Sequence, residues 1–162
     1  MFLLSNFEVL PYYFNFLLTD FIDLPFEDVA FPRGVKGMDK YIDRASIYKK
    51  ATPIHVRASL IFNHILKSNN IHNIPPIQDG DKIKFAYLKT PNPIQETVIA
   101  ASDNIPKEFD LDKYIDRELQ FEKSFMDPLR SITKIIDWKI ENISYDKIPI
   151  QEAHWHIDPP YN

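Results

Sequence analysis

Cysteine is absent from this 162-residue chain, which excludes disulfides, thiolate metal sites and a cysteine nucleophile and accords with a reducing compartment. Glycine is scarce, at three residues, and no glycine-rich loop of the kind that cradles nucleotide phosphates occurs. A membrane anchor is not expected. The apolar run over residues 1–22 holds Glu8, Pro11 and Asp20, has no basic leader and offers no small-residue cleavage site. What is plentiful is proline, at thirteen, and aromatic side chains, at 14%. That composition suits a folded chain with several rigid extended connections, and its length suits one domain.

The formal net charge of -4 conceals a division along the chain. Before Phe31 there are five acids and no base. From Phe31 to Lys89, eleven bases (Arg33, Lys36, Lys40, Arg44, Lys49, Lys50, Arg57, Lys67, Lys82, Lys84, Lys89) stand against four acids, a balance of +7. Beyond Lys89, eight bases and fourteen acids leave -6.

Apolar residues Phe2, Phe7, Leu10, Phe14, Leu17, Leu18 and Phe21 recur at approximately helical spacing, which predicts a helix starting or breaking near Pro11 and ending before Pro25. Nearly every side of it carries an aromatic residue or leucine, so the expectation is that it packs on another domain or chain, or that it is not a native helix at all. Phe31-Pro32-Arg33-Gly34 and Lys36-Gly37 read as turns, followed by a short helix within residues 38–47. Pro53 opens a helix with an apolar stripe of Val56, Leu60, Ile61, Ile65 and Leu66, closed by Asn69 and Asn70. After Asp79-Gly80, alternation of Ile83, Phe85 and Tyr87 with Lys82, Lys84 and Ala86 predicts a strand with one apolar and one basic face. Residues 96–101 are expected to return antiparallel to it. Asp110 or Asp112 is the expected cap of a helix that bends near Phe121 and continues past Pro128 through Leu129, Ile132, Ile135, Ile136 and Ile140. The expectation is an α+β fold, mostly helical, with a small antiparallel β-sheet or hairpin. The organisation expected is an apolar segment over 1–24, a domain over 25–145 and a proline-containing tail over 146–162.

Three stretches carry a family resemblance by their order and spacing: Lys50-Ala51-Thr52-Pro53-Ile54-His55-Val56-Arg57, then Pro75-Pro76-Ile77-Gln78-Asp79-Gly80-Asp81-Lys82-Ile83, then Phe121-Glu122-Lys123-Ser124-Phe125-Met126-Asp127-Pro128-Leu129. Asn92-Pro93 and Val98-Ile99-Ala100 add to them, and the likeness spans residues 24–138. Together they resemble the C-terminal thumb of family B DNA polymerases of the T-even bacteriophage type. The resemblance implies a thumb that grips the primer-template duplex by its backbone during phage DNA replication, in the cytoplasm of the infected bacterium. By the same resemblance, Lys40 and Lys50 match backbone-binding lysines of the family. Arg57 joins them from the first turns of the Pro53 helix, with Lys36, Lys49, Lys82 and Lys84 as further DNA-binding candidates. For any single lysine the alternative is a solvated face.

The family's palm metal turn, its nucleotide motif and its exonuclease carboxylate motifs are all missing from this sequence. Catalysis by this chain alone is therefore not expected, and no cofactor is expected within it. The Mg2+ ions of polymerisation belong to the palm of the complete enzyme. A catalytic polymerase chain, or the missing palm and fingers, is the implied protein partner. A split-polymerase subunit, a clipped reading frame and an expressed fragment all fit. The Leu- and Phe-rich clamp-docking peptide that ends the family's polymerases is replaced here by Trp155 and Ile157, a departure that argues against sliding-clamp binding. Glu152, His154, His156 and Asp158 have the spacing of a metal clip, but they sit in a proline-rich tail and read as an unstructured ending. His55 reads as a structural anchor at a helix start. The rival reading is a small phage interaction protein that uses its N-terminal amphipathic segment to bind a partner protein. A stand-alone enzyme ranks last, for want of a triad, a phosphate loop or an acid pair.

Overall fold

The computed structural model describes residues 10–41, 47–49 and 51–136. It is an α+β fold with a three-stranded antiparallel sheet in the order β1-β2-β3. The strands are β1 (Phe31–Gly34), β2 (Lys82–Tyr87) and β3 (Val98–Ala101). Phe31 is opposite Phe85 and Gly34 opposite Lys82, while Lys84 is opposite Ala101 and Tyr87 opposite Val98.

The residues expected to form turns at 31–34 form strand β1 instead. Pro32 is compatible with it because β1 is an edge strand, where a missing N–H need not break a ladder. Helices α1 (Leu10–Ile22) and α2 (Phe26–Val29) precede β1, and α3 (Ile54–Ser68) follows it. Apolar residues three and four apart on α3, namely Ala58, Ile61, Phe62 and Ile65, are buried in the main core with Ile83, Phe85, Val98, Ile99 and Ala100 of the sheet. Burying each large aliphatic or aromatic side chain there stabilises the fold by about 1.5–3 kcal/mol. Asn63 ties α3 to the segment leading into β2, donating to the Ile77 carbonyl at 2.7 Å and accepting from Ile77 N–H at 2.8 Å.

After β3, two 3-10 turns (Lys107–Phe109 and Asp112–Tyr114) lead into α4 (Arg117–Phe121), a π-helical turn (Glu122–Met126) and α5 (Asp127–Thr133). The cap of α4 is Asp116, which accepts from Leu119 N–H at 3.0 Å. Asp110 and Asp112, the expected caps, stand in the turns before it, and Asp110 adopts a left-handed conformation (φ 48°) that ends the first of them. The bend expected near Phe121 is the π turn, and Pro128, which has no N–H to donate, follows directly on it in the first turn of α5.

A second, smaller core joins α1 to this helical run. Phe14 and Leu18 are buried with Phe121 and Met126, and Phe21 meets Phe121 edge-on at 5.4 Å between ring centroids. One side of α1 is thus anchored. Its other side is open, with Tyr13 63%, Phe16 61% and Leu17 41% exposed.

The continuation of β1 towards its N-terminus is closed by a side chain rather than by backbone. Extending the register Phe31–Phe85 would place Val29 opposite Tyr87. Gln120, fully buried, lies between them: its amide donates to the Val29 carbonyl at 2.7 Å and accepts from Tyr87 N–H at 3.0 Å. One side chain from α4 thereby substitutes for a missing rung of the sheet and satisfies two interior backbone groups.

Candidate nucleic-acid interface

The sheet end where β1 leaves and β2 enters is held by a compact set of backbone bonds. Val35 N–H donates to the Asp81 carbonyl and Gly80 N–H to the Val35 carbonyl, both at 2.9 Å. The Asp79 carboxylate accepts from Gly37 N–H and Met38 N–H, again at 2.9 Å each. It serves as the cap of the 3-10 turn Met38–Tyr41. Gly37 has φ 76°, a conformation that side-chain-bearing residues adopt only with strain, and it lets the chain reverse over the carboxylate.

This staple brings together cations that lie far apart in sequence. Lys36 and Lys40 are on the stapled loop and Lys82 begins β2. Arg33, opposite the buried Ile83, stands at the same end of the sheet but on the face opposite to that of Lys82, and all four residues are exposed. Three acids share the corner. Asp79 caps the turn and Asp81 accepts from Gln78 N–H at 2.7 Å, while Asp39 is exposed. The first two carboxylates are engaged with backbone N–H groups, but their charges still weaken the field, so the corner's net charge is well below its cation count.

Arg33 also reaches the start of α3. His55, whose ring lies 6.5 Å from that of Phe85, has its pKa held below the ordinary 6.5, first by burial and then by the Arg33 charge. Because the folded value is the lower one, protonation favours the unfolded chain. The His55 contribution is present above pH about 6.5 and falls away as the pH drops through the folded pKa. His55→Gln is accordingly expected to flatten the pH dependence of unfolding free energy below pH 6.5, as read by urea titration at several pH values. Arg57, half-buried on the first turn of α3, has a buried Nε with no hydrogen-bond partner.

The remaining candidates do not join the corner. Lys84 is half-buried and its ammonium donates to the Glu27 carbonyl at 2.6 Å, near the C-terminal end of α2. The expected solvent-facing basic side of β2 is thereby corrected. Ala86 on that side is fully buried and Lys84 is spent on structure, which leaves only Lys82 exposed. Lys49 is exposed in a turn beside Tyr48, whose hydroxyl bonds Glu96 just before β3. Since β3 begins opposite Tyr87, this is the other end of the sheet, about 17 Å away along β2 at the usual rise per strand residue. Lys50 lies outside the described residues, as do Glu152, His154, His156 and Asp158. Among the described residues no group of three or more His, Cys, Asp or Glu side chains could hold a metal ion. Among them, too, no helix is long and apolar enough to cross a membrane.

Sequence reading did not single out Arg33 or Asp79 for this site. The Asp79-Gly80 turn was visible, but a partner forty residues upstream carries no local signal. The arrangement defines a small α+β domain with a stapled cationic corner. No protein-family model and no curated protein matches the chain.

Proposed function

We propose that the chain is the thumb portion of a DNA-directed DNA polymerase and that its stapled corner grips the backbone of the primer-template duplex. The observation that carries this reading is the placement of Lys36, Lys40 and Lys82 at one end of the sheet by the Asp79 staple. Backbone contact by several exposed cations suits a surface that must hold DNA and still let it slide. Polymerisation would require the palm of a separate catalytic chain, which would hold the Mg2+ ions. The proposed setting is phage DNA replication in the bacterial cytoplasm.

The test is fluorescence anisotropy of the full chain on a labelled primer-template duplex across a range of salt. Binding with little sequence preference and a log-log salt slope of about -2 to -4, near -0.9 per phosphate contacted, supports the grip. No binding at low salt by a folded sample overturns it. The open side of α1 favours a second reading as a protein-interaction module, which such a null result would leave standing.

A further inference from the structure

The molecule carries an exposed apolar ridge and a groove of mixed polar and apolar lining, with charges of opposite sign beside them. On α1, Tyr13, Phe16 and Leu17 form the exposed ridge, and the exposed Asp20 and Asp23 follow it. There is no base anywhere before Phe31. The groove lies over the outer side of α3, a cavity of about 280 Å3 lined by Tyr41, Tyr48, Leu60, His64 and Ile94 among others. Helix α3 has no acid. On its outer side Arg57, Leu60, His64 and Lys67 follow one another three and four residues apart, so they share a face. Lys67 and Lys49 are exposed, the latter next to Tyr48. Among the described residues the one acid in the groove lining is Glu96, which is bonded to the Tyr48 hydroxyl.

A ridge followed by acids and a groove with Lys49 and Lys67 next to its lining are complementary in charge. Within one molecule they cannot meet, because the ridge side of α1 is solvent-exposed where α1 packs on α4. We infer that the α1 ridge of one copy seats in the α3 groove of a second copy of this chain. A parallel pairing of ridge with ridge is disfavoured because it would oppose Asp20 and Asp23 with their own counterparts. An antiparallel one, which would keep these acids at opposite ends, is distinguished by experiment because it would survive reversal of Lys49 and Lys67. Duplex DNA or an anionic lipid surface is disfavoured at the ridge by the same two acids. Aromatic anchors such as Tyr13 and Phe16 are the side chains that carry most energy in contacts of this kind. The inference stands apart from the duplex-grip reading.

Sedimentation velocity of the full chain over a concentration series, at low and high salt, tests it. Reversible association that weakens as salt rises is expected. Phe16→Glu should weaken it about 30-fold, the scale of one interface hot spot, with the far-ultraviolet circular dichroism unchanged. Charge reversal gives the sharper reading, since all four residues are exposed. Asp20→Lys with Asp23→Lys should abolish association, and so should Lys49→Glu with Lys67→Glu. All four reversals in one chain should restore it. A monomer at every concentration and salt overturns the inference. So does association that survives either pair of reversals, or a fourfold variant that fails to recover.

Discussion

Replacing Gln120 by leucine is expected to lower the stability of the domain by about 3 kcal/mol, because two buried backbone groups lose their partners and each unsatisfied group costs about 1–3 kcal/mol. The size follows from the place. Gln120 has no exposed surface and bridges the Val29 carbonyl and Tyr87 N–H across the gap where β1 stops. Leucine is close in volume, so neither a cavity nor overpacking dominates. In a chain of this length, 3 kcal/mol corresponds to a fall in Tm of about 6–12 °C. Glutamate at the same position is expected to be no better than leucine. It would retain an acceptor for Tyr87, but when charged it would set a carboxylate oxygen against the Val29 carbonyl. Thermal and urea unfolding of the two variants measure this, and a leucine variant within about 0.5 kcal/mol of the parent would show that the bridge contributes little.

Nothing in the sequence distinguished Gln120 from a surface residue of an amphipathic helix, and this is typical of what stayed hidden. The elements announced by periodicity were legible: α1, α3, β2, β3 and the run from α4 into α5 all follow from apolar spacing and from the prolines that punctuate it. Strand β1 was not, because Pro32 and Gly34 in a four-residue element give a turn signal. Only its pairing with β2, some fifty residues away, makes it a strand. The start of α4 was misplaced: Asp110 and Asp112 were the expected caps, and both stand in the turns that precede Asp116, the residue that caps it. The candidate interface followed the same rule. Lys36, Lys40 and Lys82 were legible as cations, but the same strand pattern that placed Lys84 on a polar face gave no sign that α2 would cover it.

The duplex reading turns on which lysines matter and why, and two kinds of variant separate the possibilities. Removing Lys36, Lys40 and Lys82 together is expected to make the salt slope shallower by about 2.7, from about 0.9 per lost phosphate contact, and to weaken binding by one to two orders of magnitude at low salt. Lys84→Met removes the same charge from a lysine whose ammonium is already bonded to the Glu27 carbonyl, so it should lower stability while leaving the slope nearly unchanged. Equal effects from Lys84 and from each corner lysine would mean that only the total charge counts. Asp79→Asn then tests the staple by the sign of its effect. If charge alone governed affinity, removing an acid from the corner would tighten binding. The asparagine amide, however, can accept from only one of the Gly37 and Met38 N–H groups and must set its own NH2 against the other. The loop bearing Lys36 and Lys40 should therefore loosen, and binding is expected to weaken several-fold in the same anisotropy titration, against the direction of the charge change. Tighter binding by Asp79→Asn would mean that the corner acts as a diffuse field and that the staple serves the fold alone.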